Sequence, residues 1–280
     1  MDWTRVKTLL IALLVLLNLF LAGTLAYGNA AGGSKQEYNT HAAGVLAVRG
    51  ISLAGDWPKG QPEAGMIRFD NGSPPVNPLI ERLMPGASIS TDENGRRQFR
   101  MGTRILTDAS STESGNTGII YEDLSAGYQL DVAADDKRDR EIRTLLNGIG
   151  LGAYELLFEN AVETEEGTRL VYIQSYKKGK VFDNQVILLL RGSGIARIVL
   201  SLHPIRQTIA PAGGGAGEVL TAIQAVLLSP LQGPLSIERI EYGWSQADAG
   251  ELYFSPVWQL RLANGQDLRL DAYTGARMSK

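Results

Sequence analysis

The sequence predicts an α+β protein: a single N-terminal transmembrane helix followed by an extracytoplasmic region of two α+β units with antiparallel sheets. Three observations carry that expectation. Leu9 to Ala26 is an 18-residue run without a charged side chain. A helical pattern followed by strand-like alternation occurs twice, around Asp136 and around Glu218. From Tyr154 onward, long strand-like segments are joined by short turns of hairpin type. The two helix-then-strand stretches share no residue match, so no sequence repeat is read.

The first segment is long enough to span a hydrocarbon core of roughly 30 Å at about 1.5 Å per residue. Asp2, Arg5 and Lys7 precede it and Tyr27 to Ser34 carries no charge, so the local excess of Lys and Arg places the N-terminus in the cytoplasm. Small residues at Gly23 to Ala26 and Asn29 to Ala31 leave a cleaved signal peptide as the alternative, although its apolar region is normally only about 7 to 15 residues long. The resulting division is residues 1–7 cytoplasmic, 8–27 transmembrane, 28–40 a tether, 41–152 a first exterior unit and 153–280 a second, localised to the cell membrane as a single-pass protein. No cysteine follows the span, which excludes a lipoprotein-type attachment.

The remaining chain of about 245 residues can bury a substantial core. At 44% hydrophobic and 20% charged it reads as globular. The formal net charge is −3, and about −4 once Asp2, Arg5 and Lys7 are set aside, so the basic footprint of a nucleic-acid-binding protein is absent. With zero cysteines, the exterior region folds without disulfides and has no thiol chemistry.

In chain order, Val45 to Ala54 and Met66 to Asp70 read as strands, and Val76 to Met84 as a short helix stopped by Pro85-Gly86. Gln98 to Leu106 and Gly127 to Val132 alternate like strands around a polar loop, Thr107 to Gly118. Asp135 to Asn147 reads as a helix, with Asp135 or Asp136 as cap, Asp139 paired with Arg143, and Ile142, Leu145, Leu146 and Ile149 on one face before Gly148 or Gly150. A meander follows: Tyr154 to Val162, Thr168 to Tyr176, Val181 to Leu190 and Ile195 to Leu202. After the run Pro211 to Gly217, Glu218 to Leu228 has helical spacing. Ser236 to Trp244, Leu252 to Leu262 and Asp267 to Asp271 return to strands, the last two joined by the hairpin signal Asn264-Gly265.

Catalytic groups are sparse. The chain has two histidines, His41 and His203, neither with a second histidine at ligand spacing, and both read as structural or surface residues. Gly213 to Gly217 lacks the Gly-Lys-Ser/Thr ending of a phosphate cradle, and Glu218 would oppose an anion there. Gly192-Ser193-Gly194 reads as a turn. Asp135-Asp136 reads as a helix start and Glu165-Glu166 as a hairpin tip, although paired acids can cut glycosidic bonds. No catalytic residue, metal ligand or cofactor site is assigned. Within the span, Leu14, Asn18, Ala22 and Ala26 share one face at i+4 spacing. An amide in lipid bonds either its own backbone or a neighbouring helix, the latter for about 0.6 to 2 kcal/mol.

Met1-Asp-Trp-x-Arg-x-Lys7 followed by Leu17-Asn-Leu-Phe-Leu21 resembles the start of the YycI (WalI) family. Val181-Phe-Asp183, the helix around Ala222 to Leu228, Ile240-x-Tyr242, Ser255-Pro-Val-Trp258 and Asp271-Ala-Tyr-Thr-Gly275 follow in the same order as in that family. The ending also resembles PepSY-like modules, in which a Pro-x-Trp strand precedes an Asp-Ala-x-Thr-Gly turn, and this marks Pro256, Trp258, Asp271 and Gly275 as motif residues. The resemblance implies a non-enzymatic regulator of a WalK-type (YycG) sensor histidine kinase, paired with the response regulator WalR (YycF). It would act with a YycH-like membrane protein through transmembrane helix contacts to adjust cell-wall metabolism. The alternative is a secreted or anchored PepSY-like module binding a peptide, wall polymer or protease, with Trp57, Trp244 and Trp258 as groove candidates. A wall hydrolase is the third possibility.

Overall fold

The computed structural model describes residues 14, 17, 18, 35–58, 64–70, 72, 74–108, 118–130, 135–177, 179–209, 219–246 and 251–278. Leu14, Leu17 and Asn18 are helical; the rest of the predicted span 8–27 lies outside the described residues. Among the described residues no helix is long and apolar enough to cross a membrane.

The described chain is α+β, with four helices against one mixed sheet. The elements are α1 (Lys35–Val48), β1 (Ile51–Leu53), β2 (Met66–Phe69), α2 (Val76–Leu83), β3 (Ser88–Thr91), β4 (Arg97–Met101), β5 (Arg104–Asp108), β6 (Ile119–Asp123) and β7 (Tyr128–Gln129). Then come α3 (Asp135–Leu146) with a π-turn (Asn147–Leu151), β8 (Leu156–Thr164), β9 (Gly167–Tyr176), β10 (Gly179–Arg191), β11 (Gly194–Ser201) and β12 (Ile205–Ile209). The chain closes with α4 (Ala222–Leu228), β13 (Leu235–Gln246), β14 (Tyr253–Leu262) and β15 (Asp267–Asp271).

The sheet path runs β12, β2, β14, β13, β10, β11, β6, β5, β4, β3, with β1 and β15 added to β13 and β14, β9 and β8 to β10, and β7 to β11. This corrects the expectation of separate antiparallel sheets. The meander and its hairpins are antiparallel, but β13 pairs in parallel with β1 and with β10, and the second of these contacts joins the two halves of the path. Local turn signals report hairpins; a parallel pair between residues some sixty positions apart leaves no such mark.

The β10/β13 junction depends on two glycines. A Cβ on Gly243 would lie 2.2 Å from the Lys180 carbonyl oxygen, and one on Gly179 would lie 2.4 Å from the Trp244 ring. Only residues without a side chain let these strands meet. Next to the contact, the β9/β10 register shifts between Val181 and Gln185, and beyond the shift β10 takes β11 as its neighbour on the β13 side.

Three clusters form the core. The largest packs α2 and α3 on β4–β6 and β8–β11; Ile142, Leu145, Leu146 and Ile149 all bury into it, as the helical spacing predicts. Asp139 and Arg143 pair at 2.8 Å on the outer face, and Gly150, at φ +88°, turns the chain out of the helix. The second packs α1 and α4 on β13–β15, and the third, around Phe69, Trp244 and Phe254, fills the junction.

Two other segments differ from expectation. Val45 to Ala54 is not a strand: its first four residues end α1, which begins at Lys35, and only Ile51–Leu53 pairs. Ala42 and Leu46, one turn apart, bury against α4, while Val45 and Val48 point outward, so tertiary packing overrides the β-branched composition. Gln98 to Leu106 is a hairpin, not one strand, because Gly102 at φ +60° reverses the chain between β4 and β5. Of the predicted strand Gly127 to Val132, the described residues 127–130 pair only at the two residues of β7, and 131–132 lie outside the described residues.

Candidate functional site

The four motif residues converge where β14, β15 and α4 meet. Pro256 stands opposite Trp244 in the β13/β14 ladder, and its carbonyl accepts the Ala272 N–H at 3.0 Å. Trp258 is buried and donates its indole N–H to the Leu220 carbonyl at 2.9 Å, fixing the approach to α4. Asp271 Oδ1 accepts the N–H groups of Tyr273 and Thr274, at 3.0 and 2.8 Å, and the Thr274 hydroxyl at 2.8 Å. Gly275, at φ +71°, closes that turn; a Cβ there would lie 2.8 Å from the Ala225 carbonyl oxygen. The motif therefore locks a turn against a helix, with α4 started by a capping box in which Thr221 and Gln224 bond each other's backbone.

Beside it, the junction holds a charged network that sequence reading missed. Lys180 Nζ donates to Glu159 at 2.5 Å and to Glu241 at 2.7 Å, and Arg239 reaches the other oxygen of Glu159 at 2.7 Å. A bulge in β8 between Phe158 and Asn160 is what leaves Glu159 out of the ladder. Asp183 accepts from Arg269 at 2.6 Å, from the Ser245 hydroxyl at 2.6 Å and from the Gln246 N–H at 2.9 Å. Burial raises the carboxyl pKa of both Glu159 and Asp183, but their cations and hydrogen bonds outweigh it, so both are held below the usual carboxylate range.

A third such carboxylate, Asp123, sits at the β6–β7 turn with neither oxygen open to solvent. Its Oδ1 accepts from the Ser125 hydroxyl and N–H and from Thr103, and its Oδ2 from the Gly127 N–H at 2.9 Å and Arg104 at 3.1 Å. Burial opposes its ionisation, yet those bonds hold its pKa down at about 2. The Asp-x-Ser spacing of an Asx-type turn was the available signal. Burial, with Asp123 nearby, pushes the Tyr121 phenol up to about 12.

All three carboxylates are ionised and paired at neutral pH, so as they stand they accept hydrogen bonds and donate no proton. Among the described residues no group of three His, Asp or Glu side chains is placed to hold a metal ion. His41 is exposed on α1; the His203 ring lies tilted against Phe69 at 4.7 Å between ring centres, and burial lowers its pKa. Trp244 and Trp258 are core residues and Trp57 packs against the second cluster, so the three do not line an open groove. Glu165 and Glu166 stand at the β8–β9 hairpin tip and Ser193 at the β10–β11 tip, as the sequence predicts. The glycine run 213–217 lies outside the described residues.

Of the residues assigned to the span, Asn18 donates through Nδ2 to the Leu14 carbonyl at 3.0 Å. That uses one of the amide's two N–H groups. Arg5, Lys7, Ala22 and Ala26 lie outside the described residues.

The chain matches no protein-family model and no curated protein. Among solved structures it is similar to an uncharacterized protein from Eubacterium rectale at 11% identity, over 82% of this chain and 89% of that one, with a TM-score of 0.46. It is also similar to the YpeB C-terminal domain of Bacillus megaterium, at 8% identity over 74% of this chain and 97% of that one, with a TM-score of 0.42. YycH from Bacillus subtilis is 12% identical over 75% of this chain and 51% of its own, with a TM-score of 0.45. At these scores the likenesses carry no argument about activity.

Proposed function

We propose that this chain is a membrane-anchored, non-enzymatic regulator of a WalK-type sensor histidine kinase. It acts with a YycH-like membrane protein through helix contacts in the bilayer, its C-terminal region lying outside the cell. The observation that carries this reading is the N-terminal sequence, Met1-Asp-Trp-x-Arg-x-Lys7 before Leu17-Asn-Leu-Phe-Leu21. It joins an inward-facing charge bias to a polar side chain in mid-span. Asn18 sets an amide in mid-span, and Ala22 and Ala26 on the same face leave room for a neighbouring helix to approach closely. The paired, ionised carboxylates outside fit a rigid binding body better than an acid–base centre. Regulation then requires the contact to favour one kinase state, and a coupling of about 1 to 3 kcal/mol changes a binding equilibrium roughly 5- to 150-fold.

Co-purification from native membranes after mild crosslinking tests the proposal. The sensor kinase is expected with the intact protein, at reduced yield with Asn18→Leu, and lost when the span is exchanged for an unrelated one. Recovery that ignores the exchange overturns the helix-contact mechanism.

A further inference from the structure

The face of α1 turned away from the sheet carries an apolar stripe that none of the contacts above uses. Ala42 and Leu46, 5% and 1% exposed, are committed to α4. Tyr38, Val45 and Val48 stand 47%, 53% and 91% exposed, and His41 is exposed between them. The four positions step by three, four and three residues, the a/d spacing of a helix that packs lengthwise on another helix. Beside the stripe, Gly44 opens onto empty space, so a second backbone can approach closely.

We infer that α1 pairs in parallel with α1 of a second copy of this chain through Tyr38, His41, Val45 and Val48; this rests on the membrane-anchored reading above. Seven residues, 28 to 34, join the predicted span to α1, and a chain of that length reaches at most about 25 Å. α1 is therefore held close to the bilayer. Every copy inserted with its N-terminus inside presents the stripe at the same height and in the same direction, which is what a two-fold, self-complementary contact needs. A seam of two heptads is too short to pair freely in solution, but confinement to a membrane plane raises the effective concentration. Val45 is flanked by the uncharged Ala42 and Gly44, so no like-charge repulsion opposes a second identical helix there. Arg49 is committed to the α4 end, donating to the Leu227 and Ser229 carbonyls at 2.7 Å each and to the Leu231 carbonyl.

Because the chain has no cysteine, single replacements report the contact directly. Full-length Val45→Cys, Val48→Cys and Ala43→Cys proteins are reconstituted into phosphatidylcholine–phosphatidylglycerol vesicles at high lipid-to-protein ratio and oxidised. Ala43 is exposed off the stripe and controls for random collision. Val45→Cys and Val48→Cys are expected to give disulfide-linked dimers at least about fivefold more abundant than Ala43→Cys. An alkaline carbonate wash of the same vesicles reads anchoring independently. Wash-resistant protein with equal or no crosslinking at all three positions overturns the pairing and leaves the membrane reading standing. Protein released by the wash overturns both.

Discussion

Asp123 and Asp183 are both ionised carboxylates in the interior of the fold, yet they are held in opposite ways. Every partner of Asp123 comes from Thr103 to Gly127, within one corner of the sheet. Asp183 takes Ser245 and Gln246 from β13 and Arg269 from β15, sixty to ninety residues away, and its ligands span the junction between the two halves of the sheet path. The first is a local cage that stabilises one turn. The second is a tie between regions that otherwise have their own helices and their own core clusters. Damage to the cage should lower stability as a whole, and damage to the tie should loosen the coupling of the two regions.

Gly243→Ala attacks the junction hardest, because its Cβ must displace the Lys180 backbone or the Phe182 ring. A loss of about 3 kcal/mol is expected in urea unfolding, with the single transition splitting in two. A single, merely weakened transition would show that the two regions are not separately stable. Gly44→Ala, in open helical surroundings, is expected instead to gain about 0.5 to 1 kcal/mol.

The Asp123 cage should show itself in acid. The folded pKa, about 2, lies below the unfolded value of about 3.8, so its stabilisation is complete above pH 4 and disappears as pH falls through 2. That is worth about 2 kcal/mol, and an Asp123→Asn protein should lack this acid-dependent loss in pH-resolved thermal unfolding. If the loss survives the substitution, the cage is not what holds the corner.

His203 works at higher pH and in the same sense. Burial lowers its folded pKa, so the unfolded chain takes up a proton first, and stability falls as pH drops below about 6.5. His203→Gln should flatten the stability profile between pH 7 and 5. The smallest expected effect is at the surface pair Asp139–Arg143, where Arg143→Ala should cost only about 0.3 to 0.5 kcal/mol.

What the sequence made legible follows the same division between local and distant. The α3 face from Ile142 to Ile149 and the Asn264-Gly265 hairpin, with Gly265 at φ +81°, are written in adjacent residues, and the structure shows them as read. The turn at Gly102 was hidden because alternation runs on through it, and α1 was hidden because Val45 and Val48 favour strands when taken alone. The parallel β10/β13 contact and the Glu159–Lys180–Glu241 network had no local mark, since their residues become neighbours only once the sheet has closed. Pro256, Trp258, Asp271 and Gly275 were picked by resemblance; in the structure Trp258 bonds the approach to α4, Gly275 lies against α4, and Asp271 holds the turn that carries it.

The central claim, that the N-terminal helix couples this chain to a sensor kinase, is tested most directly by kinase output. Autophosphorylation of the WalK-type kinase is measured after co-reconstitution in vesicles with the intact protein or with a version carrying an unrelated span. The account predicts that the intact protein changes the phosphorylation rate and the exchanged-span protein does not. An equal change with both, or none with either, would contradict it.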